Sequence, residues 1–166
     1  LQVVAKDAKI QVEFNPLRVR RYRLLGYENR DIADQDFRND SIDAGEVGSG
    51  KSVTALYELE LQGDPGPDFG TVYVRYQNVE TAAVEEIAAD LRPSVFTRRH
   101  PTQSPRFFLA AAAAEFAELL RGSEYARNGS YTSIQRVLAP VTDALDHDEQ
   151  VNELWFLVER AKQLTR

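Results

Sequence analysis

Apolar residues recur at every second position in the first part of this chain and at every third or fourth in the last, with the switch near residues 90 to 104. A strand turns alternate side chains to opposite faces, whereas a helix repeats about every 3.6 residues. The succession of the two periods predicts an α+β fold: a small antiparallel, β-sandwich-like sheet of about four to five strands, then a C-terminal bundle of about three helices.

In the first part, Ala8, Ile10, Val12 and Phe14 alternate with Lys9, Gln11 and Glu13, a strand that stops at Asn15-Pro16. Val19 to Tyr27 is a second candidate. Val53, Ala55, Tyr57, Leu59 and Leu61 form a third, with Thr54, Glu58 and Glu60 facing out, and Gly63-Asp64-Pro65-Gly66-Pro67 then forces a turn. Thr71 to Tyr76 has the β-branched and aromatic content of a half-buried strand. Ala82 to Leu91 fits either period, and its turn-rich flanks favour an extended segment.

In the second part, Ser104-Pro105 is a helix start and Gly122 a helix end, bracketing an apolar stripe of Leu109, Ala112, Ala113, Phe116, Leu119 and Leu120. Ser133 to Leu145 predicts a second helix that Pro140 kinks or splits. A third runs from about Asp148 to Leu164, with Val151, Leu154, Trp155, Val158 and Ala161 on one face. Its acidic first turn and basic last turn suit the helix dipole. These readings divide the chain into a β-rich part, 1–103, and a helical part packed on it, 104–166. Tyr57, Tyr73, Phe116 and Trp155 are expected in the core.

The 166 residues suffice for one domain or two small subdomains. The net charge of -6 argues against a nucleic-acid partner, whose binding is driven by neutralising phosphates. No apolar run approaches the roughly 20 residues a bilayer span needs, so no membrane insertion by this segment is expected. Cysteine is absent and only His100 and His147 are present, which removes thiolate chemistry and leaves little for a metal site or a histidine base. The start at Leu1-Gln2, without methionine or signal peptide, suggests a segment of a longer protein.

One string invites a specific function. Gly45-Glu46-Val47-Gly48-Ser49-Gly50-Lys51-Ser52 satisfies the P-loop pattern, in which Gly45, Gly50, Lys51 and Ser52 would cradle nucleotide phosphates. A working P-loop needs a buried strand before the first glycine and a helix after the lysine. Here the upstream stretch from Asp34 to Asp43 is acidic and Ser52 to Leu59 alternates like a strand. A glycine-rich loop entering a strand is therefore preferred, and a nucleotide-binding module is the alternative.

Glu28 to Glu46 is rich in carboxylates, but Arg38 stands where a calcium loop needs its third ligand, so the segment is expected to be a solvated loop. Arg18, Arg20, Arg21 and Arg23 are expected to pair with it. Glu85-Glu86 and Asp146-Asp148 lie in polar settings unsuited to acid–base work, and no G-x-S-x-G elbow presents a nucleophile. No catalytic residue, cofactor or metal is assigned.

Asn15-Pro16, Tyr22-Arg23-Leu24-Leu25-Gly26-Tyr27-Glu28-Asn29-Arg30, Asp36-Phe37, Asp43-Ala44-Gly45-Glu46 and Val53-Thr54-Ala55-Leu56-Tyr57-Glu58 together resemble the C-terminal domain of unknown function of bacterial von Willebrand factor A-domain (VWA) proteins. Phe116 to Arg121 and Leu157-Val158 resemble its tail. The likeness covers nearly all of the chain and is most specific over its first 60 residues. It implies a VWA domain directly upstream and a parent anchored at the cell envelope, extracytoplasmic, as in lipoproteins. It further implies an accessory, non-enzymatic role in protein–protein contacts, with that VWA domain as partner. The D-x-S-x-S string of the adhesion metal site is not in this chain, and no metal ligands are carried over. Because a thin sheet leaves an edge or face unpaired, a segment upstream of the VWA domain is expected to complete it.

Overall fold

The computed structural model describes residues 2–26, 34–63, 68–92 and 99–165. It divides into two compact units, Leu1–Phe96 and Thr97–Arg166. The turn expected at Asp64–Pro67 and residues 27–33 of the acidic segment lie outside the described residues.

The first unit contains, among the described residues, six strands: β1 (Val3–Phe14), β2 (Val19–Leu24), β3 (Gly45–Gly48), β4 (Tyr57–Leu61), β5 (Gly70–Asn78) and β6 (Val84–Leu91). All pairings are antiparallel. A four-stranded sheet runs in the order β3-β1-β5-β6 and a two-stranded sheet joins β2 to β4. The side chain of Asn15 accepts from the Leu17 amide and donates to the Asp68 carbonyl, so the expected stop at Asn15-Pro16 is a hydrogen-bonded turn into β2. The ring of Phe14 lies 4.9 Å from Tyr22 and 5.6 Å from Tyr57, which seats the small sheet on that end of the large one. Phe69, buried, closes the cluster at 5.9 Å from Phe14.

Three expectations shift. Residues 53–56 are not strand, and Val53 is exposed, so the third strand begins only at Tyr57. Gly45–Gly48, expected as loop, is strand β3. In β1 the burial is inverted at Lys9 and Ile10, which are 4% and 49% exposed, while Glu13 is exposed and Phe14 half-buried as expected. The inversion follows a bulge between Lys6 and Lys9, where Asp7 takes φ 49°.

The second unit packs α1 (Pro105–Arg121), α2 (Tyr131–Ala144) and α3 (Glu149–Leu164) around Ala112, Phe116, Ile134, Leu138 and Val158. Pro105 occupies the first turn of α1, and Gly122 ends it in the left-handed region at φ 67°, where its amide reaches the Glu118 and Leu119 carbonyls. A reciprocal Ser130–Ser133 capping box starts α2, and Asp148 caps α3. Pro140 does not split α2. Ile134, Leu138 and Val141 are wholly buried on either side of it, and that packing holds the helix together across the missing N–H. On α1 the stripe is narrower than expected: Leu120 is 59% exposed, while Glu118 is buried and ion-paired with Arg121.

Candidate functional site

The register of the four-stranded sheet sorts its side chains onto two faces. Lys9, Arg75 and Glu86 form one cross-strand row, with Gln11, Tyr73 and Ala88 beside it; Ile10, Val74 and Ile87 form the corresponding row on the opposite face, with Val12, Val72 and Ala89 beside it.

The polar face is covered by the chain's own acidic segment. A short 3-10 turn at Asp34–Asp36 delivers Phe37 into a buried position, its ring 6.4 Å from Tyr73. The Arg38 guanidinium lies 5.6 Å from each of these rings and pairs with Glu86 at 2.8 Å. Arg75 pairs with Asp40 at 2.8 Å and with Glu86 at 3.4 Å. The buried Lys9 ammonium donates to the Asn39 carbonyl at 2.6 Å, and the Ala44 amide donates to Asp7 at 3.2 Å. Hydrogen bonding from Arg38, then its charge and that of Arg75, holds the Glu86 carboxyl below its ordinary value against the opposing effect of desolvation. On the opposite face, hydrogen bonds from Tyr76 and Asn78 do the same for Glu85. The segment expected as a solvated loop is, over residues 34–44, a latch fastened to the sheet.

This charged cluster does not form a substrate pocket. The cleft beside Asp7, Lys9, Asp40 and Arg75 holds only about 70 Å³, against about 300–1,000 Å³ for small-molecule sites. Among the described residues, no group of three or more His, Asp or Glu is placed to hold a metal ion. No helix among them is long and apolar enough to cross a membrane.

The apolar face differs. Its Phe14 end meets the small sheet, while Ile10 and Ile87 are exposed, by 49% and 57%. At one margin β6 pairs with β5 alone, so its other edge has no strand beside it among the described residues; β3 likewise pairs only with β1. An apolar sheet face next to an open edge is what a protein partner docks on, by packing and by strand addition. The Val74-Ile87 cross-strand pair is the feature sequence reasoning missed, because alternation tells which residues share a face but not which face is covered.

The P-loop residues are placed otherwise than the alternative reading requires. Gly45 to Gly48 pair with Ala8 to Val3 as an antiparallel strand. The Ser49 amide donates to the Gln2 carbonyl at 2.7 Å and the Lys51 amide to the Gly48 carbonyl at 3.0 Å, with Gly50 at φ 72° completing the turn. Those two amides are satisfied by the protein, no helix follows, and Lys51 and Ser52 are exposed. Without a helix N-terminus and free loop amides there is no phosphate cradle, so the nucleotide-binding reading is set aside. The arginines after Pro16 are also redirected. Arg20 and Arg21 meet Glu60, and Arg23 meets Glu58, on the adjacent strand β4 rather than the acidic segment.

Comparison with known proteins is consistent with a segment of this kind. A curated protein of Escherichia coli (strain K12), described as "Uncharacterized protein YfbK", is 34% identical over 155 residues, covering 82% of this chain. The chain spans about a quarter of that relative's length (26%). No solved structure matches it significantly. The family model described as "Uncharacterized protein YfbK, C-terminal" matches residues 1–68 and 60–164. With both units accounted for by that model, the chain belongs to the YfbK C-terminal family.

Proposed function

We propose that this chain is a non-enzymatic accessory domain of a bacterial VWA protein at the cell envelope, mediating or orienting protein–protein contacts, with the upstream VWA domain of its own parent as first partner. The observation that carries the reading is the cross-strand row Ile10, Val74 and Ile87, exposed at Ile10 and Ile87, beside the open edge of β6. Monomeric proteins seldom leave a contiguous apolar sheet face to water without a partner for it. The residue resemblance to VWA-associated C-terminal domains supports the choice of partner. The short match relative to the curated relative is consistent with a large region outside this segment. The small volume of the cleft beside the charged cluster supports a binding rather than a catalytic role.

Calorimetric titration of this chain against the separately expressed upstream part of its parent, with and without Mg²⁺, tests the proposal. Saturable binding is expected. Metal-dependent affinity would tie the contact to the adhesion site of the VWA domain. If no heat is seen and a pull-down from the cell envelope captures nothing on this face, the reading is wrong.

A further inference from the structure

The outer surface of α3 carries side chains that its own unit does not use. Val151, Leu154, Trp155, Val158 and Ala161 turn inward, while Phe156 is 71% and Leu164 72% exposed, with Leu157 beside them at 50%. Glu149, Asn152, Glu153, Phe156, Leu157 and Arg160 line an open groove of about 480 Å³ along this side. The helix dipole accounts for acid at the start and base at the end, but not for three exposed large apolar residues between and beyond them.

The carboxylates on this face have no partners on their own helix. Four residues after Glu149 stands Glu153, and four after Glu153 stands Leu157, so neither carboxylate meets a cation at helical spacing. Neither forms an ion pair or hydrogen bond among the described residues. Arg160 reaches only Gln163, at 3.5 Å. Glu153 and Arg160 are seven residues apart, about 10 Å along the axis, too far to meet each other.

A second copy supplies what is missing. When two α3 helices lie antiparallel about a twofold axis passing midway between Phe156 and Leu157, Glu153 of each faces Arg160 of the other. Phe156 then faces Leu157, and Leu164 lies over the first turn at Glu149. The face is its own complement in charge and in apolar content, as an isologous interface requires. We propose that the outer face of α3 is the interface of a homodimer of this chain, with Phe156 and Leu157 at its centre and two Glu153–Arg160 pairs flanking them. A single pair of 16-residue helices is a contact at the small end of interface sizes, so the dimer is concentration-dependent.

The test is sedimentation equilibrium of the full chain over a concentration series, with circular dichroism confirming that each variant folds, which its exposed position allows. The wild type is expected to dimerise. Glu153→Arg and Arg160→Glu each place like charges across the axis, and each is expected to weaken the dimer at least tenfold. An equimolar mixture of those two variants restores both opposite-charge pairs and is expected to re-form a dimer, as is the double variant. Phe156→Glu is expected to be monomeric. A wild type that stays monomeric at every concentration overturns the proposal, as does a dimer indifferent to the single charge changes or a mixture that fails to recover.

Discussion

Replacing Ile87 by alanine separates the docking role of the apolar sheet face from its contribution to folding. The side chain is 57% exposed, so a little under half of its apolar surface is already buried by the fold. Full burial of an isoleucine is worth about 1.5–3 kcal/mol. Divided in proportion to exposure, about 0.6–1.3 kcal/mol belongs to folding and about 0.9–1.7 kcal/mol is left for a partner to gain. These are upper figures, since alanine keeps its Cβ. Ile87→Ala is therefore expected to raise the Kd for the upstream part of the parent by roughly 4- to 18-fold, read by calorimetry, with a loss of stability of about 1 kcal/mol read by denaturant unfolding. Leu17, 78% exposed in the turn after β1, is the control. Leu17→Ala is expected to leave the affinity unchanged. An affinity unaffected by Ile87→Ala, or lowered equally by both variants, would refute the assignment of this face.

Three further outcomes follow from the packing. A Cβ at Gly70 would stand 2.4 Å from the Glu13 carbonyl oxygen, a backbone atom that cannot swing aside, so Gly70→Ala is expected to pry β5 from β1 and cost about 1–3 kcal/mol in denaturant unfolding. In the helical unit Leu138 is wholly buried, and Leu138→Ala is expected to cost about 2–5 kcal/mol by the same measurement, whereas Leu120→Ala, at an exposed site on a helix, should fall within about 0.5 kcal/mol of the parent. Because Glu85 and Glu86 are held below the ordinary carboxylate value of 4.5, their contribution to stability is fully present above that pH and is lost as pH falls through their lower folded values. Thermal melts are expected to drop in that acidic window, less steeply for Glu86→Gln. An equal drop in that variant would show that the latch does not supply the dependence.

Much of this architecture was legible because hydrophobic period reports local geometry directly. The change from period 2 to 3.6 separates sheet from helices, and Pro105 and Gly122 mark α1 to the residue through their backbone preferences, although Ser104 makes no side-chain capping bond. What stayed hidden depends on tertiary contacts. Lys9 is buried because a bulge and the latch segment select the polar side of β1 for covering, and no local pattern encodes that choice. Strand β3 is short and glycine-bounded, so nothing in Gly45-Glu46-Val47-Gly48 alternates; its pairing with β1 makes it a strand. Arg23 finds Glu58 because β2 and β4 are neighbours, although an acidic stretch lies nearer in sequence. The same gap conceals the candidate site, since a strand's alternation is identical whether its apolar side meets a core or a partner.

The central claim is that the apolar face of the four-stranded sheet receives another part of the parent protein, and calorimetric titration of this chain against that upstream part at several temperatures tests it most directly. Saturable binding with a negative heat-capacity change, the mark of apolar burial, is the predicted result. An absence of binding at every temperature, with and without Mg²⁺, would contradict it.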